Sequence, residues 1–151
     1  MVRRALERAF PNLSEGGYDI TSPATPDYNC IAWAAGDTTR WWWPIPAFYY
    51  WPQEAPLEET LEAFVQAFAT LGFIPCDDET VESGFEKIAI YVNAQGTPTH
   101  AARQLHNGRW VSKLGRDVDI EHALADLTHS IQCTGLSHKY SNGFYKKRNQ
   151  Y

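Results

Sequence analysis

The 151 residues suffice for one packed core and fall short of what two cores usually need, so a single domain over 1–151 is expected. Hydrophobic residues make up 44 % of the chain and aromatic residues 14 %, which excludes a disordered protein. A net charge of -5 excludes a surface that tracks phosphates, so no nucleic-acid partner is expected.

The first ten residues carry charges throughout and no apolar run of signal-peptide length, which predicts a cytoplasmic protein. Residues 3 to 9 read as a short amphipathic helix with Leu6 and Phe10 turned inward, stopped by Pro11. Loop composition follows to residue 26, with one short strand at Tyr18 to Thr21. Asp27 then caps an Ala-rich helix, Tyr28 to Ala35, closed by Gly36 and holding Cys30 in its first turn. Residues 41 to 52 are too aromatic for a solvated loop and too rich in proline for a helix, so they form an ordered, packed loop.

Leu57, Leu61, Phe64, Val65, Phe68 and Leu71 share one stripe, which predicts a helix from Leu57 to Leu71 ended by Gly72. Strands follow at Glu86 to Val92, apolar on both faces and therefore central, at Thr99 to Leu105 and at Arg109 to Leu114. Asn107-Gly108 joins the last two as a hairpin. Asp119 to Leu127 reads as a final helix, Ile131 to Tyr145 as one more strand, and Lys146, Lys147 and Arg148 as a solvated tail. No stretch reaches the roughly 18 apolar residues of a membrane span, so no membrane partner is expected.

Cys30, Cys76 and Cys133 are odd in number and scattered, which suits a reducing compartment and fits no zinc spacing. No metal and no cofactor are expected. A cysteine at a helix start lies near backbone N–H groups and the positive end of the dipole, which favours thiolate and points to a nucleophile. His100 is the candidate partner, because small neighbours in Pro98-Thr99-His100-Ala101-Ala102 leave room beside the imidazole, on a strand face shared with Ala102 and Gln104. His106, His122, His129 and His138 fall in turn, helix or tail contexts and receive no role. Trp33, Trp43, Tyr50 and Asn29 are the candidate substrate contacts, since Trp and Tyr faces bind sugars, peptides or cations.

A helix-start Asn29-Cys30, a central strand Lys87 to Tyr91 and then Thr99-His100-Ala101 resemble the papain-like superfamily, the NlpC/P60-type minimal members in particular. The segments YNCIAWAAG, WWP, THAARQL and SKLG also resemble an uncharacterised bacterial family, a domain of unknown function. The papain-like resemblance implies an α+β fold with a Cys-bearing helix packed on a small antiparallel sheet. It also implies a thiol hydrolase or acyl transferase acting on a peptide or protein amide as peptidase, amidase or deamidase. In that reading Cys30 attacks, His100 is general base, and a third group orients the imidazole.

The strand after the histidine offers no usual orienter. A two-residue turn would bring Lys113 to the His100 face, a one-residue bulge would bring Ser112, and Asp117 or Asp119 could reach back; Ser112 is preferred. Ala24 stands where the superfamily often has an oxyanion-hole Gln, leaving the Cys30 N–H and the Asn29 side chain to substitute. The alternative function is a catalytically inactive binding module that uses the loop 41–52. Peptidoglycan would be a substrate only after delivery by another route, as for an effector.

Overall fold

The computed structural model describes residues 2–10, 12–45, 47–127 and 144–148. Two short helices open the chain, α1 (Val2–Ala9) and α2 (Leu13–Gly16), followed by strand β1 (Asp19–Ser22). Helix α3 (Cys30–Ala35) and helix α4 (Leu61–Ala69) bracket the aromatic loop. Strands β2 (Ile74–Pro75), β3 (Phe85–Val92), β4 (Pro98–Gln104), β5 (Trp110–Lys113) and β6 (Asp119–His122) come next, then a 3-10 turn at Leu124–Leu127 and strand β7 (Phe144–Arg148). Among the described residues these strands pair antiparallel in one seven-stranded sheet, ordered β1-β6-β5-β4-β3-β7-β2.

The apolar run of β3 places it inside that sheet between β4 and β7, and its alternation builds two cores. Ile88, Ile90 and Val92 face one side with Ala101, beneath α3 and α4. Ala89 and Tyr91 face the other with Ala102, Trp110, Ile120 and Phe144, beneath Leu6, Leu13, Leu124 and Leu127. Gly36 ends α3 in the left-handed region at φ 86°, where a side chain would be strained.

The expected α+β papain-like architecture is not what forms. The molecule is largely β, a seven-stranded antiparallel sheet with few short helices. Several local differences add up to this change. Asp119 to His122 is a strand and not a helix, because Val118, Ile120 and His122 alternate with Asp119 and Glu121 and pair with β5. Helix α4 starts at Leu61 and not at Leu57, since Thr60 is extended and its Oγ1 accepts from the Ala63 N–H at 3.2 Å. The basic tail is strand β7, whose Lys146 pairs with Glu82 at 2.7 Å. Asn29, and not Asp27, caps α3. Most of the expected strand Ile131 to Tyr145, with Cys133, His129 and His138, lies outside the described residues, as do Pro11 and Pro46.

Candidate functional site

The turn between β4 and β5 decides which side chain meets His100. Leu105 N–H donates to the Arg109 carbonyl at 2.7 Å, so the connection holds three residues, one more than the two-residue turn. Arg103 then faces Val111 and Gln104 faces Trp110, and that register puts Ser112 on the His100 face. His100 Nε2 lies 2.7 Å from Ser112 Oγ. Lys113 falls on the other face, where its ammonium donates to the carbonyls of Thr25 and Asp117, each at 2.7 Å, and of Gly115. Asp119 accepts from the Tyr28 hydroxyl at 3.0 Å. Neither Lys113 nor Asp119 orients His100.

A residue without an assigned role extends the contact. Ser112 Oγ is also 2.7 Å from His122 Nε2, and His122 Nδ1 is 2.7 Å from the Ala123 carbonyl. Burial pulls the His122 pKa down to about 4, against the Ala123 carbonyl, so the ring is neutral near pH 7. A carbonyl only accepts, so His122 Nδ1 carries the proton and Nε2 the lone pair. The Ser112 hydroxyl must therefore donate to His122 and accept from His100 Nε2–H. In the neutral His100 ring the basic nitrogen is then Nδ1. The ring itself rests edge-on against Tyr91, centroids 5.2 Å apart. The signal for His122 was present in the sequence as the alternation through residues 118–122.

Cys30 and His100 border one cavity of about 350 Å³, whose walls include Leu6, Phe10, Leu114 and Asp117. Cys30 also borders a second cavity of about 320 Å³ with Trp41, Trp43, Ile45 and Tyr49. The helix start does not favour thiolate as expected. With 8 % of Cys30 exposed, burial pushes its thiol up from 9.0 to about 11, against the N–H groups of Ala101, Ile31 and Cys30 and the Lys113 ammonium, which pull downward. Helix α3 has only six residues, too few to offset that desolvation.

Asn29 lines the second cavity and braces the loop beside it. Its Oδ1 accepts from the Ala32 and Trp42 N–H groups, each at 3.1 Å, while Nδ2 donates to the Trp42 carbonyl at 2.9 Å. This clamp docks the aromatic loop onto the start of α3. Trp43 packs edge-on against Phe64 at 5.2 Å and lines the second cavity. Trp33 and Tyr50 line neither cavity. Trp33 donates to the Val111 carbonyl at 3.3 Å under the Arg103 guanidinium, and Tyr50 lies beneath Arg40 at 3.6 Å, bordering a separate cleft. Trp41 and Tyr49, which received no assignment, are the stacked rings of the second cavity, 5.7 Å apart.

Among the described residues no group of three or more His, Cys, Asp or Glu is placed to hold a metal ion, and no helix is long and apolar enough to cross a membrane. A family model described as "Domain of unknown function (DUF7689)" matches residues 19–139, a span that holds Cys30, His100, Ser112 and His122. No curated protein and no solved structure matches.

Proposed function

Since the chain belongs to this family, whose description names no activity, we propose a function from the site: a thiol-dependent hydrolase or acyl transferase acting on a peptide or protein amide. The observation that carries this reading is the chain His100–Ser112–His122, two contacts of 2.7 Å that hold the imidazole while it borders the same cavity as Cys30. Cys30 is the nucleophile. As its sulfur bonds the carbonyl carbon, the thiol proton passes across the shared cavity to His100, directly or through one water, and His100 then returns a proton to the leaving amine. Water or a second amine releases the acyl group from sulfur. The N–H groups of Cys30 and Ala101, which lie against the sulfur, are the donors at hand for the carbonyl oxygen.

The raised thiol sets the mode of activation. Near pH 7 Cys30 carries its proton, so attack depends on proton removal by His100 in the same step, as for a serine nucleophile, and not on a preformed ion pair. Ser112 and His122 act through His100 and are positioning residues. The free thiols of Cys30 and Cys76 suit the reducing environment of the cytoplasm, where we place the activity.

The burial of the Cys30 sulfur favours a second reading, a binding module that uses the aromatic loop without turnover. Incubation with p-nitrophenyl acetate, followed by intact-mass and peptide mapping, separates the two. The hydrolase reading expects an acetyl adduct on Cys30 that forms and decays, and neither adduct nor p-nitrophenol burst in Cys30→Ala. His100→Ala is expected to slow acylation by about a hundredfold or more. Acetylation confined to surface lysines, unchanged by either substitution, would leave the binding module.

A further inference from the structure

Cys30 stands at the boundary of two apolar cavities, and that position constrains what it would cleave. We infer that the substrate is an extended peptide with large apolar side chains on both sides of the scissile amide, an aromatic one on the acyl side; this rests on the hydrolase reading above. Cys30 and Gly115 are common to the walls of both cavities, one of about 350 Å³ and one of about 320 Å³. Each is large enough to enclose a bulky side chain. Gly115 adopts φ 60° and has open space where a Cβ would project, so the ridge between the cavities stays low and a chain can pass over it.

The chemistry assigns the two sides. A proton delivered by His100 reaches the amine nitrogen only if that nitrogen is within hydrogen-bond distance of the imidazole. The leaving portion therefore lies in the His100 cavity, against Leu6, Phe10, Leu114 and Leu127. The acyl portion stays bonded to sulfur and extends the other way, between Trp41, Trp43, Ile45 and Tyr49.

The acyl-side walls are set before any ligand arrives. Trp41 stacks on Tyr49 with 25° between the rings, and its indole donates to the Pro26 carbonyl at 2.6 Å. Trp43 is held edge-on by Phe64, itself fully buried. Ile45 and Tyr49, 37 % and 41 % exposed, form an open apolar rim. The lining of this cavity holds no carboxylate, ammonium or guanidinium, and Arg116, which borders the neighbouring cleft, lies 5.6 Å from the Trp41 ring, so a charged acyl side chain would give up its hydration without a charged partner inside the cavity. On the leaving side Asp117 faces the cavity and disfavours an acidic residue.

Chloromethyl ketones of N-acetylphenylalanine, N-acetylalanine and N-acetylaspartate test the acyl side. In each the sulfur displaces chloride, a C–S bond replaces C–Cl, and the thiol proton passes to His100. Mapped alkylation of Cys30 is expected to be about tenfold faster with the phenylalanyl probe than with the other two. Ile45→Asp, which places a charge at the rim without touching the reacting groups, is expected to erase that preference. Equal rates for the three probes, in a protein that p-nitrophenyl acetate still acetylates on Cys30, overturn the subsites and leave the hydrolase reading standing.

Two further measurements cover the remaining outcomes. In Cys30→Ala, N-acetylphenylalaninamide is expected to shift the Trp43 indole N–H resonance saturably, and no shift overturns the aromatic subsite whatever the turnover. Leucinamide is expected to release acetyl from Cys30 faster than glycinamide does, because the amine that attacks occupies the place the amine leaves. Equal release by the two overturns the leaving-side subsite.

Discussion

On the His100 side of Cys30 the side chains are held by short, directional contacts among half-buried or buried polar groups, Ser112 and His122 both being fully enclosed. On the other side Trp41, Trp43 and Tyr49 are held by ring packing and by loop anchors. Asp37 accepts from Trp42 Nε1 at 2.9 Å and from Arg40 at 2.8 Å, and its carboxyl is held well below the usual range because these and the Thr39 bonds outweigh desolvation. The two modes fail differently. A hydrogen-bonded chain of three side chains has one correct proton arrangement, so an isostere without the right donor breaks it. A packed wall tolerates substitutions that keep shape, and its exposed tip tolerates most.

The largest way to break the polar side is to charge it. His122 has a pKa of about 4 in the folded protein against 6.5 ordinarily, so between these values the unfolded chain takes up a proton that the folded chain refuses. Stability from this group is therefore complete above about pH 6.5 and is lost as pH falls toward 4, by about 3 kcal/mol at most. Urea unfolding between pH 7 and 4 is expected to show this slope, and His122→Gln, which never charges, to flatten it. A slope that persists in full in His122→Gln would assign the acid sensitivity elsewhere. In the folded protein His122 stays neutral over this interval and protonates only near pH 4, so the part of the acetylation rate that depends on its contact with Ser112 should be kept down to about pH 5 and lost near pH 4.

A smaller break removes the middle of the chain. Ser112→Ala leaves two imidazole nitrogens facing a methyl group and frees the His100 ring to rotate. Acetylation of Cys30 is expected to drop about thirtyfold, close to 2 kcal/mol, with KM little changed. Ser112→Thr keeps the hydroxyl and should recover most of the rate, which a purely packing role for Ser112 would not predict. An unchanged rate in Ser112→Ala would detach the Ser112–His122 pair from His100.

How much of this was legible beforehand follows the same division. Features set by local pattern could be read directly: the strand Glu86 to Val92, apolar on both faces, the Gly36 stop after α3, and a hairpin joining β4 to β5, though not its turn length. Ser112 was legible only as an outcome of register, since one extra residue in the turn exchanges it for Lys113. His122 was hidden by reading Asp119 to Leu127 with a helical period, although Val118, Ile120 and His122 alternate. Strand β2 has two residues, too short for any periodic signal, and exists because it pairs with β7. The thiol shift depends on how many atoms cover Cys30, a tertiary quantity that an Asn-Cys pair at a helix start does not reveal. Asn29 was recognisable as important, but its clamp on Trp42 links positions thirteen apart and required the loop to be seen folded.

The smallest expected effect sharpens the contrast within the loop itself. Phe48 and Tyr49 are neighbours of the same general size, yet Tyr49 stacks on Trp41 while Phe48 is 79 % exposed beside Ala47, which turns the backbone at φ 72°. Phe48 borders the cleft with Arg40 and Arg116 and neither cavity at Cys30. Phe48→Ser therefore removes almost no buried surface and should change unfolding stability by less than about 0.5 kcal/mol. The phenylalanyl chloromethyl ketone should label it at the parent rate, whereas Tyr49→Ala, which strips a wall from Trp41, should lose most of the aromatic preference. If both substitutions slowed labelling equally, the loop would be acting as one hinged lid, and the distinction between a fixed wall and an idle tip would be wrong.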